Sequence, residues 1–336
     1  MAFPPADRPL AFRRMASAAP DPGFWSGKRV VVTGGAGFLG KPTTALLNEL
    51  GAKVSVVRSA EYDLREREAA LRALDGAEVV LHLAANVGGI GFNRRNPAPL
   101  ARDNLAMSLN VFDAARELGT GKLVAAGSVC AYPKFTPVPF SEDDIWDGYP
   151  EESNAPYGLA KKMNFVLSDA YRRQYGFDSC VPVLANLYGP GDNFDLEDSH
   201  VIAAMVHKYA VATERGEPEV VLWGTGEPSR EFLYVDDAAR ALLLCAEKLD
   251  VSDPVNIGTG AETRIRDLAE MISELTGYEG KTVWDTSRPD GQPKRYLDVS
   301  RARELIGFEA EMPLEEGLRR TIDSFRAVDM AALASA

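Results

Sequence analysis

Arg29-Val-Val-Val-Thr33-Gly34-Gly-Ala-Gly37-Phe38-Leu39-Gly40 is the stretch that decides the fold. Lys28 to Thr33 is a short charged start followed by a β-branched run, the pattern of a strand buried in a parallel sheet. Thr43 to Leu50 has helical spacing, and Gly51 ends it. Strand, glycine turn and helix in that order give a glycine motif its meaning. Gly34 permits the tight turn, Gly37 the close approach of a pyrophosphate, and Gly40 close packing of helix on strand, with Phe38 and Leu39 completing the loop. The helix N-terminus then offers backbone N–H groups and partial positive charge to phosphates. The spacing is G-x-x-G-x-x-G, and a ligand-free glycine turn is the bland alternative.

The pattern repeats outward from this unit. Ala52 to Val57 reads as a second strand. Arg58 follows it where an NAD-specific fold carries an acid for the ribose 2′-hydroxyl, so NADP(H) is expected over NAD(H). Asp63 and Leu64 are expected to border the adenine. Glu66 to Leu74 has helical spacing. Ala77 to Ala85 reads as a third strand whose end, Leu83-Ala84-Ala85, leaves room for a cofactor; Asn86 to Phe92 reads as a loop. A helix over 104–118, a strand over 122–128 and another over 178–183 follow. Alternation at this pitch implies right-handed crossovers and a parallel sheet. The expected fold is therefore α/β, a Rossmann-type doubly wound parallel sheet with a smaller C-terminal α/β substrate-binding lobe. Residues 1–26 read as a flexible N-terminal extension, 27–187 as the NAD(P)-binding domain and 188–327 as the substrate-binding lobe. About 232–260 returns to the first domain, and 328–336 is a tail. Within the lobe, a helix is expected from Ser199-His200 with the serine near its cap, and a last helix over 317–325.

Asn154-Ala-Pro-Tyr157-Gly-Leu-Ala-Lys161 places a phenol and an ammonium four residues apart, on one face if helical. Pro156 suits the start of such a helix. The ammonium stabilises phenolate and eases proton transfer near neutral pH. Alone, Tyr-x-x-x-Lys is weak: a half-buried tyrosine beside a solvated lysine is common. Its company changes that. Ser128 and Cys130 follow a strand's carboxyl end, where sites form in such sheets, and Tyr157 lies on the next helix.

Composition narrows the class of function. The chain has 336 residues, 46% hydrophobic and 26% charged, enough for a sizeable core. Its 37 basic and 49 acidic residues leave a formal charge of −12, which disfavours nucleic acid or an anionic membrane as partner. Three cysteines, Cys130, Cys180 and Cys245, without a C-x-x-C pair read as reduced thiols of a cytoplasmic protein, and no metal site is expected. Prolines and arginines of the first 25 residues lack a following apolar run, so no signal peptide is read.

These motifs resemble the extended short-chain dehydrogenase/reductase family: Thr33 to Gly40, His82-Leu-Ala-Ala85, Ser128, and Tyr157 with Lys161. A narrower set resembles its GDP-L-fucose synthase branch: Asn86-Val-Gly-Gly-Ile90, Gly127 to Pro133, Asn186 to Phe194, Ser199-His-Val-Ile202, Trp223 to Gly226, Arg230-Glu-Phe232 and Pro289 to Lys294. The resemblance covers about residues 28–325. It implies a 3,5-epimerisation and then a 4-reduction of GDP-4-keto-6-deoxy-D-mannose with NADPH. It makes Cys130 and His200 the acid–base pair for the carbons flanking the ketone. Tyr157 protonates O4, Ser128 holds that oxygen, and Lys161 binds the nicotinamide ribose. Asn186, Lys208, Trp223, Arg230 and Arg295 are then substrate contacts, and a homodimer is expected. The chain departs from the branch at Gly35 and Ala36 (arginine in some members), Val129 (often serine) and Lys208 (often arginine). An NAD-retaining nucleotide-sugar epimerase or dehydratase of the same fold and a non-catalytic NADP-sensing module are the alternatives.

Overall fold

The structure, a computed structural model, describes residues 17–334 except 197 and 289. The β-branched runs form the expected central layer. Strands Lys53–Val57, Arg29–Thr33, Val79–His82, Lys122–Ala125 and Ser179–Cys180 lie in that order, each pair parallel. Val30, Val80, Leu81, Leu123 and Val124 are buried because helices cover both faces. The sheet continues after one-residue interruptions at Ala126 and Val181, where Gly127–Ser128 pairs with Pro182–Leu184. Val255–Ile257 adds a further parallel strand beside Pro182–Leu184.

Two apolar clusters organise the chain. The larger surrounds the central sheet and takes in Leu233, Leu242, Val255 and Ile257. The smaller gathers Ile202, Val206 and Tyr209 of helix Val201–Arg215 with Leu268, Ile272, Leu318 and Ile322. Leu297, Ala302, Ile306 and Phe308 pack into the larger cluster, although the sequence reading assigns them to the lobe. The reason is local: helix Ser300–Ile306 lies against strand Val255–Ile257.

Three other readings differ. Residues 1–16 of the expected extension lie outside the described residues, but residues 17–26 make contacts with the rest of the chain. Trp25 is fully buried and its indole N–H donates to Glu247; Ser17 donates to the Glu309 carbonyl at 2.9 Å; and Arg240 donates to Ser17 and Ala18. Helix Ile90–Arg95 occupies part of the expected loop 86–92. Helix Val201–Arg215 starts as expected, with His200 at the N-cap position and Ser199 next to it. The last helix spans Leu314–Ala334, longer than 317–325, so the expected tail is helical to 334; residues 335–336 lie outside the described residues. No helix among the described residues is long and apolar enough to cross a membrane.

Candidate active site

The glycine turn leaves Arg29–Thr33 at its carboxyl end. Gly34 has φ +70°, and a Cβ there would meet the Ala84 nitrogen at 2.8 Å. At Gly40 a Cβ would overlap the Gly34 carbonyl oxygen, so only glycine lets helix Gly40–Glu49 sit on the turn. No side chain caps that helix, and its first residues, Leu39 and Gly40, line the cleft at the helix's positive end. Thr33 Oγ1 accepts from the Ala84 N–H at 3.2 Å and shares a 2.8 Å hydrogen bond with His82 Nδ1, joining the ends of two strands. Burial, then the Lys161 charge, lowers the His82 pKa to about 3, so this imidazole is neutral. Asn104 clamps Asn86, its Oδ1 accepting from the backbone N–H at 3.0 Å and its Nδ2 donating to the carbonyl at 2.8 Å. Leu83, Ala84 and Ala85 are thus a fixed wall.

At the far end of this half, Arg58 is exposed after strand Lys53–Val57. Asp63, beside Leu64, accepts from Arg65 at 2.8 and 2.6 Å. Those bonds lower its carboxyl to about 2. Asp63 is therefore committed to Arg65 and does not neutralise Arg58.

The proton-transfer groups meet in the middle. Asn154 and Pro156 start helix Ala155–Tyr175, which buries Tyr157 and Lys161 on one side. The Lys161 Nζ lies 5.8 Å from the Tyr157 ring centre. Burial pushes the Tyr157 phenol up, as does Cys130 nearby, while a hydrogen bond to Ser128 opposes the shift. Burial lowers the Lys161 ammonium to about 8. The Ser128 hydroxyl also accepts from the Cys130 N–H at 3.2 Å, setting the short turn Val129–Ala131 that presents the half-buried thiol. Gly158 has no side chain to hold the helix away from the Cys130 carbonyl.

The opposite wall comes from later elements. His200 stands at the N-terminus of its helix, open to the cleft, and the protein around it lowers its pKa. Lys208, on the same helix, donates to the Val221 carbonyl at 2.7 Å and is lowered by burial. Trp223 is 64% exposed, with Arg288 stacked 5.1 Å from its ring. The Asn186 amide donates to the Glu231 carbonyl at 2.8 Å. Arg230 and Arg295 are register partners on two short parallel strands. Burial, then the Arg295 charge, lowers Arg230 to about 10. An anion between the two guanidiniums relieves that repulsion.

One cleft of about 1800 Å³ is lined by every site residue expected from the sequence, from Gly34 to Arg295. Sequence reasoning missed Asn93, Met107, Asn154, Asp290 and Gln292, which line it too. Asn154 stood inside the Tyr157 motif, and its Oδ1 accepts from Asn93 at 2.9 Å. Asp290 and Gln292 sit in the proline-rich 289–294 stretch; Asp290 accepts from Thr225 and Gln292 donates to the Lys134 carbonyl. Gly37 is exposed on the cleft side, where a Cβ would meet only the Gly34 carbonyl oxygen, at 3.2 Å. That open glycine and the uncapped helix fit a dinucleotide pyrophosphate, and Arg58 and Lys161 line the same cleft.

The chain belongs to the NAD dependent epimerase/dehydratase family, whose model matches residues 30–258. It is an NAD(P)-dependent enzyme of that family. It is 42% identical over 300 residues to probable GDP-L-fucose synthase 1 of Oryza sativa subsp. japonica, covering 88% of this chain and 91% of that one. It is 38% identical over 312 residues to GDP-L-fucose synthase of Escherichia coli K12, covering 89% and 97%. It is also similar to the crystal structure of a GDP-L-fucose synthetase from Naegleria fowleri bound to NADP, with a TM-score of 0.81, 29% identity and coverage of 91% and 96%.

Proposed function

We propose that this enzyme converts GDP-4-keto-6-deoxy-D-mannose to GDP-L-fucose by inverting C3 and C5 and reducing C4. The observation that carries the reading is the cleft itself, where Ser128, Tyr157 and Lys161 share one space with Cys130 and His200. A reductase alone needs the first three; the thiol and imidazole suit the second task. The names of the similar proteins point to the same substrate.

The chemistry follows from the groups. A 4-keto group acidifies the protons on C3 and C5, and inversion needs a base on one face and an acid on the other. Cys130 and His200 take those roles. Burial lowers the His200 pKa, which keeps the imidazole in the neutral form that a base needs. Tyr157 gives its phenol proton to O4, and Ser128 hydrogen-bonds the same oxygen. Lys161 holds the nicotinamide ribose and offsets phenolate charge after the transfer. NADPH, when bound, supplies the hydride. Arg230 and Lys208 hold the substrate pyrophosphate, Asn186 the sugar, and the exposed Trp223 the base. Arg58 engages a 2′-phosphate and makes NADP(H) the preferred dinucleotide. We assign residues 27–187, with about 232–260, to dinucleotide binding and 188–327 to the substrate side.

The reading also includes a homodimer in the cytoplasm. Leu105 and Leu109 on helix Pro97–Glu117, and Met163 and Val166 on helix Ala155–Tyr175, are exposed apolar side chains on two helices packed together. Sedimentation at micromolar concentration tests it: a dimer in the wild type and a monomer in Leu109→Asp with Val166→Asp are expected. Three free cysteines suit a reducing compartment.

Incubation with the keto sugar and each dinucleotide, followed by NMR of the product, tests the function. GDP-L-fucose with stoichiometric NADPH oxidation is expected. Product formation without net oxidation would identify an NAD-retaining epimerase instead. Dinucleotide binding without turnover would identify a sensor.

A further inference from the structure

Cys130 and Arg295 are 165 residues apart in the chain, yet the guanidinium Nη2 donates to the thiol sulfur at 3.3 Å. Arg295 is only 9% exposed. Among the described residues it has no carboxylate partner within ion-pair distance. Its neighbour Arg230 is differently occupied: Nη1 donates to the Ser229 and Gln292 carbonyls, both at 2.7 Å. Of the two adjacent cations, only Arg295 is aimed at a group with protons to exchange. Arginine stays charged at any working pH, so a fixed positive charge faces the sulfur throughout a reaction cycle.

We propose that Arg295 is a positioning residue for the epimerisation half of the reaction: it orients the Cys130 sulfur and holds negative charge on it whenever that sulfur has given up its proton. The proposal rests on the function argued above. His200 removes the C–H proton on one face, and the bonding pair enters the enolate whose oxygen Ser128 and Tyr157 hold. Cys130 delivers its S–H proton to the same carbon from the other face, the new C–H bond drawing the pair back from the enolate. The turnover leaves an imidazolium and a thiolate, which solvent exchange resets. The other charged groups facing this corner are Arg230 and, through it, Asp290. Without Arg295 the departing proton would leave an anion with only the Ser128–Cys130 turn and the phenol about it.

Alkylation of Cys130 by iodoacetamide at pH 7, followed by peptide mass spectrometry, tests the contact without substrate. Cys130→Ser supplies the blank for the buried Cys180 and Cys245. An opposite charge at this range changes a thiolate population about tenfold, so Arg295→Met is expected to alkylate about tenfold more slowly than wild type. Arg295→Lys, which keeps the charge, is expected to recover part of that rate. Lost bulk alone would open access and speed alkylation, so the direction separates charge from shape. An Arg295→Met rate equal to or above wild type overturns the proposal, as does an Arg295→Lys loss as deep as that of Arg295→Met. Dinucleotide binding in both variants reports that the fold is kept. In ²H₂O with the keto sugar, deuterium uptake at C3 and C5 is expected to fall in Arg295→Met in parallel with alkylation. A wild-type enzyme that exchanges no deuterium, with the alkylation ranking as expected, would defeat the assigned reaction and leave the Arg295–Cys130 pairing standing.

Discussion

Gly158 lies against the backbone carbonyl of Cys130 so closely that no side chain fits between them. This approach brings Tyr157, one residue earlier, beside Ser128. A methyl group at 158 must push helix Ala155–Tyr175 off the turn. Gly158→Ala is therefore expected to lose more than tenfold in turnover, because a shift of about 1 Å misaligns a proton donor. It is also expected to lose about 1–3 kcal/mol of stability to overpacking. Product formation and urea denaturation measure the two effects.

Tyr157→Phe removes one oxygen from the site and leaves Cys130 and His200 in place. Reduction is expected to fall by about 10²–10⁴, the usual worth of a positioned proton donor. Deuterium uptake at C3 and C5 is expected to fall much less, since Cys130 and His200 still move those protons and Ser128 still holds the enolate oxygen. NADPH absorbance and NMR in ²H₂O separate the steps; equal loss of both would contradict the division of labour.

Lys161 is a buried ammonium lowered from 10.5 to about 8. The unfolded chain binds more protons than the folded one between those values, so this residue makes stability rise with pH from 8 to 10.5. Below pH 8 its destabilisation is fully present. Lys161→Met is therefore expected to raise the stability of the ligand-free protein at pH 7 by about 2–3 kcal/mol. The advantage should shrink as pH climbs through that window. Activity should fall in the same variant, as expected where a site is kept at the expense of stability. Thermal melts from pH 6 to 10.5 provide the comparison.

Arg58 is the exposed cation closing the dinucleotide half, and Asp63 is engaged by Arg65 instead. Arg58→Ala is expected to weaken NADPH binding about 10- to 100-fold, the worth of charge-assisted hydrogen bonds, and to leave NADH nearly unchanged. Fluorescence titration with both dinucleotides measures the ratio.

Much of the sheet was legible because each strand is a β-branched run between helical patterns. Arg29–Thr33, Lys53–Val57 and Val79–His82 fall where alternation predicts them. The breaks at Ala126 and Val181 were not legible, since they reflect how neighbouring strands bend together. Helix Ile90–Arg95 was hidden by the glycines before it. The glycine turn and the Tyr157–Lys161 pair announced themselves through short-range spacing. The Arg295–Cys130 contact had no such signal: it arises from pairing of Lys294–Arg295 with Ser229–Arg230, far from either in sequence. Trp25 shows the same limit in the other direction. Prolines around it suggest a loose extension, but the indole joins the larger apolar cluster and donates to Glu247.

That anchored segment matters to anyone who trims this polypeptide for crystallisation or fuses a reporter to its front. Cutting at residue 27 would remove the indole that donates to Glu247 of helix Val235–Lys248 and take two of the Arg240 guanidinium's partners, Ser17 and Ala18, leaving it Asp237 and the Glu309 carbonyl. A shortened version made at residue 27 is expected to lose stability for reasons unrelated to catalysis.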